Sequence, residues 1–182
     1  QCLDGNLLSS HGRVQSDADV RETFKILKDS KFGNVSADIM IGLPGQSETA
    51  VMETLNFLIA HNVKHISAYT LQVEKYTMLY NKLKQGKIKE MPEDKVLALY
   101  EKIAQMLKQK GFKRYEISNY ARPCFESEHN KKYWDGTNYL GLGVSAHSYM
   151  EGYRFYNTKR LDTYIDALKD KKSPVYSREY VS

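Results

Sequence analysis

Cysteine is nearly missing from this 182-residue chain, which holds only Cys2 and Cys124. Two thiols so far apart exclude a disulfide framework, a cysteine-rich zinc site and an iron–sulfur cluster ligated by this chain alone. Long apolar runs are also missing. No stretch approaches the roughly 18 residues of a transmembrane helix, and the mean hydropathy of −0.59 is strongly polar. The first residues have neither a basic start nor an apolar run, so no signal peptide is expected and the cytoplasm is the expected compartment. The net charge of +5 is not gathered into blocks of like sign, which argues against nucleic acid as a partner. No Gly-x-Ser-x-Gly or His-Glu-x-x-His pattern supports a hydrolase. The chain lacks an initiator Met and shows no turn or cap signal at either end, so it is expected to be a piece of a longer polypeptide.

What is present is a regular alternation. Ser16-Asp17-Ala18-Asp19 has the form of a capping box and opens a helix with Val20, Phe24 and Leu27 on one side, ended by Gly33. Residues 35–43 predict a strand with Val35, Ala37, Ile39 and Ile41 on one face and Ser36, Asp38 and Met40 on the other. Pro44-Gly45 breaks it and Ser47 caps a second helix. Residues 65–73 predict another strand, 93–110 a helix with a stripe of Val96, Leu99, Ile103 and Leu107, and 114–120 a third strand. This order argues for βα units with a parallel sheet or barrel. Beyond Pro123 the pattern changes: 124–138 is polar and loop-like, 139–156 predicts a β-hairpin turning at Glu151-Gly152, and 161–171 predicts a last helix. The expected division is therefore 1–123 and 124–182.

Several residues could carry chemistry. Asp38 interrupts an apolar strand, and a buried carboxylate must find donors. On a barrel strand it would point inward to a ligand's hydroxyl or amino groups; a structural salt bridge is the alternative. Gly42-Leu43-Pro44-Gly45-Gln46 closes that strand, and glycines there would let backbone N–H groups approach a ligand. His129-Asn130-Lys131-Lys132-Tyr133-Trp134 puts an imidazole beside large rings, a pattern suited to haem iron and a porphyrin face or, equally, to a loop that seals a core. His147 follows a Gly-rich stretch that fails as a nucleotide loop for want of a Lys-Ser/Thr. His11, His61 and His65 have no metal spacing and read as structural.

Taken together these stretches resemble the oxygen-independent coproporphyrinogen III oxidase-like branch of the radical S-adenosylmethionine superfamily, and most closely its HemW-type haem chaperones. The resemblance is carried by Ser36-Ala37-Asp38-Ile39-Met40-Ile41-Gly42-Leu43-Pro44-Gly45-Gln46, His65-Ile66-Ser67-Ala68-Tyr69 and Tyr115-Glu116-Ile117-Ser118-Asn119-Tyr120-Ala121-Arg122-Pro123. His129-Asn130-x-x-Tyr133-Trp134 and Tyr139-Leu140-Gly141-Leu142-Gly143 complete it. It implies an α/β fold: the C-terminal half of a partial (βα)6 TIM-like barrel, followed by a small α+β extension with a β-hairpin. The parent would hold S-adenosylmethionine and a 4Fe–4S cluster, with haem or porphyrin and haem-accepting proteins as partners. Gln1, Arg13 and Asp38 keep the family's intervals for residues that contact S-adenosylmethionine. Gln72 aligns with a backbone contact to the adenosyl group and His147 with another ligand-proximal position. The His-Asn-x-x-Tyr-Trp motif makes His129, Tyr133 and Trp134 the haem candidates, with His129 on the iron.

The chain also departs from the family. The Cys-x3-Cys-x2-Cys cluster motif is absent, so the chain alone is expected to be catalytically inactive. The loop that reads Glu-Pro-Gly-Thr-Pro in the family is here Glu74-Lys75-Tyr76-Thr77-Met78, which puts the local turn in question. The His129-Asn130-x-x-Tyr133-Trp134 motif favours a haem chaperone; a coproporphyrinogen III oxidase of porphyrin biosynthesis and a cofactor-free barrel piece are the alternatives. A piece of barrel is also expected to expose a sheet edge and to self-associate through it.

Overall fold

The computed structural model describes residues 2–181, in two compact units, Gln1–Glu126 and Ser127–Ser182. The first unit contains α1 (Gly5–Ser10), α2 (Asp17–Asp29), β1 (Ser36–Ile41), α3 (Glu48–Ala60), β2 (His65–Thr70), α4 (Met78–Lys84), α5 (Glu93–Gln109), β3 (Lys113–Arg114) and β4 (Asn119–Ala121). The expected capping box forms: Ser16 Oγ accepts from Asp19 N, and Ser16 N donates to Asp19 Oδ2 at 2.7 Å. Helix α2 stops at Asp29, before Gly33, with Lys31 turning through the left-handed region. Ser47 caps α3 and Pro92 stands at the cap of α5, where its fixed φ and missing N–H cost nothing.

Strands β1 and β2 run parallel, joined by α3, as the alternation predicts. The third strand departs from the expectation. Residues 114–120 do not form one parallel strand but bend into a hairpin, β3 and β4, with β4 antiparallel to β2, giving the order β1-β2-β4-β3. The cause is local. Glu116 folds back to accept from Ser118 N at 2.8 Å, and Tyr115 N donates to Asn119 O, so the chain reverses within the segment expected to be one strand. The uncertain turn at Glu74 also forms. Tyr76 takes a φ of 69° where the family has glycine, and Thr77 caps α4.

One face of the sheet makes the core. Ile39, Ile41, Ile66, Ala68 and Tyr120 pack against Val51, Leu55 and Leu58 of α3 and Leu99, Ile103 and Leu107 of α5. Each Val, Leu and Ile among them contributes about 1.5–3 kcal/mol through burial. Cys2, Leu7, Leu8 and Leu43 form a second, smaller cluster.

The second unit contains α6 (Glu128–Asp135), β5 (His147–Met150), β6 (Tyr153–Asn157), α7 (Leu161–Lys169) and β7 (Val175–Tyr180). Strands β5, β6 and β7 form an antiparallel sheet in sequence order. The hairpin turns at Glu151-Gly152, as expected, both residues having positive φ. The segment expected to be a loop is instead helical at α6. Ser127 Oγ accepts from Asn130 N at its start, and Gly136, at φ 72°, ends it. None of the buried apolar side chains among the described residues lies in this unit; Ser148, Asn157 and Thr158 are its buried groups.

Candidate functional site

The two faces of β1 divide as the alternation requires. Ile39 and Ile41 point to the helices, so Ser36, Asp38 and Met40 point to the other side. Register carries this polar side across the sheet. Ser36 pairs with His65 and Asp38 with Ser67 on β2; on β4, Ala121 pairs with His65 and Asn119 with Ser67. Asp38 is exposed rather than buried, and among the described residues no hydrogen bond or ion pair ties it down. The salt-bridge alternative for Asp38 is therefore not what the structure shows.

His65 anchors the start of this face. It is buried, with Nδ1 2.9 Å from Ser36 Oγ and Nε2 2.7 Å from Tyr115 Oη. Desolvation pushes its pKa below the ordinary imidazole value, opposed by the negative charges of Asp38 and Glu116. Nothing in the local sequence shows this contact, because Tyr115 comes from a distant segment. His11 and His61, bonded to the carbonyls of Leu7 and Phe57, are structural as expected.

The glycine turn after β1 departs from its expected role. Gly42 and Gly45 have φ of 86° and 83°, as a tight βα turn demands. Its amides are not offered to a ligand, however: Gln46 Oε1 accepts from Gly42 N at 2.8 Å and Leu43 N at 3.2 Å, while Gln46 Nε2 donates to Met40 O. A buried side chain of this chain fills the place where an outside acceptor was expected.

Arg13 follows α1 and is exposed, its backbone N–H bonded to Leu8 O; Gln72 follows β2 and is exposed. Gln1 lies outside the described residues. A cavity of about 490 Å³ sits on the helix-covered side, between the carboxyl ends of β1 and β2 and α5, with Ile41, Ala68, Val96, Tyr100 and Arg114 among its walls. Asp38, Arg13 and Gln72 do not line it, so it is separate from the polar face.

In the second unit, the i, i+4 spacing on α6 places His129 and Tyr133 together, Nε2 to Oη at 2.9 Å with the rings edge to face. Trp134 is 60% exposed and projects from another side of the helix. Tyr133 in turn packs edge to face on Tyr139. A cavity of about 510 Å³ opens there, lined by Tyr133, Tyr139, His147, Arg154, Tyr156, Ser177 and Glu179. His147 stacks on Tyr156, with ring centroids 5.1 Å apart. The sequence singled out Tyr133, Tyr139 and His147 in separate stretches; the fold brings them to one cavity and adds Tyr156 and Arg154, which no motif marked.

The thiols do not fit a 4Fe–4S cluster. Cys2 is buried with its Sγ against Asp4 O, Cys124 is exposed, and the sequence contains no third cysteine. Among the described residues no group of three or more His, Cys, Asp or Glu side chains is arranged to hold a metal ion. No helix is long and apolar enough to cross a membrane.

No protein-family model matches the chain. Curated relatives do. The heme chaperone HemW of Bacillus subtilis is 34% identical over 174 residues, 96% of this chain and 46% of that protein. HemW of Mycobacterium tuberculosis is 37% identical over 145 residues, 79% of this chain and 37% of the relative. The mitochondrial radical S-adenosyl methionine domain-containing protein 1 of Danio rerio is 38% identical over 148 residues, 81% of this chain and 33% of the relative. The chain thus spans less than half the length of these relatives. Among solved structures, the Escherichia coli coproporphyrinogen III oxidase HemN, described as a radical SAM enzyme, superposes on 100% of the chain and 44% of its own, with a TM-score of 0.76 at 19% identity. That likeness shows the fold. The sequence matches and the shared fold place this chain in the HemW-type branch of the radical S-adenosylmethionine family.

Proposed function

We propose that this chain is the part of a haem chaperone that holds haem on its second unit and presents one wall of an S-adenosylmethionine site on its first. The observation that carries the haem reading is the placement of Tyr133. It is bonded to His129 on α6 and also forms a wall of the tyrosine-lined cavity that contains His147 and Arg154. Haem is here the cargo. Flat aromatic rings suit a porphyrin face, an exposed imidazole suits its iron, and a guanidinium suits its carboxylates. His129 would take the iron after giving up its bond to Tyr133, with Tyr133 and Trp134 against the ring.

On the first unit, Asp38 would accept from the hydroxyl or amino groups of S-adenosylmethionine, as an exposed carboxylate without a partner can. Arg13 would meet the ligand's carboxylate and Gln72 would offer its backbone; Gln1 is the remaining candidate of the first unit for this ligand. The family resemblance implies a 4Fe–4S cluster in the parent, which would supply one-electron reducing chemistry to S-adenosylmethionine. The two thiols here cannot hold it, and no reaction step is assigned to it in this chain. The chaperone reading is preferred to the oxidase because several curated relatives, at 32–37% identity, are named haem chaperones.

Haem titration tests the reading. Adding haem to the chain should shift the Soret band with saturation, and His129→Ala should abolish the shift. Tyr133→Phe, which frees the imidazole while keeping a ring, should retain it. An unchanged shift in His129→Ala overturns the assignment of the iron, and no shift with the unaltered chain overturns the haem reading.

A further inference from the structure

The polar face holds one feature that the site described above does not use. Asn119 is 5% exposed, and its Oδ1 is buried without a hydrogen-bond partner. An orphaned buried acceptor is unusual, because native chains pair nearly all such groups or serve them with water or a ligand. Its position is informative. Asn119 pairs with Ser67, and Ser67 pairs with Asp38, so the three residues stand on one rung across β4, β2 and β1, and their side chains share a face. The neighbour on β4, Tyr120, points the opposite way into the core. Ser67 is itself 4% exposed.

We propose that Asn119 and Ser67 complete a ligand-reading rung with Asp38, in which Asn119 Oδ1 accepts a hydrogen bond from the far end of the molecule that Asp38 holds. This deepens the S-adenosylmethionine reading and rests on it. Geometry limits what can occupy both acceptors. Asp38 and Asn119 are two strands apart, about 10 Å at the usual strand spacing. A single vicinal diol or one amino group cannot bridge that distance. A nucleoside-sized ligand with N–H or O–H donors at both ends can. Ser67, between them, can donate or accept, which fixes register without selecting one end.

The experiment is isothermal titration of the chain with S-adenosylmethionine, paired with thermal unfolding, for Asn119→Leu, Ser67→Ala and Asp38→Asn. Losing one neutral hydrogen bond should weaken binding about five- to tenfold in Asn119→Leu and less in Ser67→Ala. The unfolding temperature of Asn119→Leu should stay level or rise, because the substitution removes an unpaired buried polar atom. A structural role for Asn119 would lower that temperature and leave affinity unchanged, and this outcome overturns the proposal. If Asp38→Asn weakens binding while Asn119→Leu binds as the unaltered chain does, Asn119 is served by ordered water; the rung fails and the Asp38 reading survives. If both variants bind normally, the assignment of Asp38 fails as well. An unaltered chain that takes up no S-adenosylmethionine removes both. Methionine alone, too short to span the rung, should respond to neither Asn119→Leu nor Ser67→Ala.

Discussion

The imidazole of His65 should make the stability of the first unit depend on pH, and His65→Gln isolates the effect. His65 is 6% exposed and bridges Ser36 and Tyr115, hydroxyls that can serve either neutral tautomer or the doubly protonated ring. Protonation therefore costs desolvation of a cation rather than loss of hydrogen bonds, and the folded-state pKa is depressed. The unfolded chain takes up a proton near pH 6.5, whereas the folded chain does so only at lower pH. Between those two values the unfolded state binds more protons, so stability falls as pH is lowered through that window and is restored above it. One proton sets the limit at about 1.4 kcal/mol per pH unit. At pH 8, where the ring is neutral in both states, His65→Gln should cost about 1–3 kcal/mol for a lost bond and poorer fit. The assay is urea unfolding from pH 5 to pH 8, followed at the methyl signals of Ile66 and Ile103 so that the first unit is read by itself. The gap between wild type and variant should shrink as pH drops below 6.5. A gap that stays constant, or widens towards acid, would refute the reasoning. Asp38→Asn provides an internal check: it removes a charge that supports the imidazolium, so the His65 midpoint should move lower still.

Two further outcomes follow from the same structure. Gln46→Ala strips the acceptor from two turn amides and the donor from Met40 O, and should cost about 2–4 kcal/mol in urea unfolding, while Gln46→Glu, which keeps the acceptor but sets a buried carboxylate against Met40 O, should cost at least as much at neutral pH. Incubated with S-adenosylmethionine and a strong reductant, the chain by itself should release no 5′-deoxyadenosine by chromatography, since Cys2 and Cys124 cannot supply three thiolates; its appearance would show that the thiol count misjudges the chain.

The sequence by itself determined what depends on nearest neighbours along the chain. The Ser16 capping box, the Ser47 cap, the two faces of β1, the α5 stripe and the Glu151-Gly152 turn are encoded in short-range periodicity and backbone preference, and all appear where those rules place them. Helix α6 was legible in principle, from Ser127 at one end and Gly136 at the other, but its low hydrophobicity hid it. Strand β7, Val175–Tyr180, lay past the last expected helix, and its alternation was too short to stand out.

Only the tertiary structure decided strand direction and register. The alternation of residues 114–120 is equally compatible with one strand or a hairpin; the antiparallel pairing of β4 with the distant β2 goes with the hairpin. Pairing over a long separation brings Tyr115 to His65 and sets Asn119 on the rung of Asp38. Tyr133 meets Tyr139 only once α6 has formed beside the sheet of its own unit. The physical reason is that side-chain periodicity tells which face a residue occupies, whereas its partner across the sheet depends on loop closure and packing that no local pattern carries.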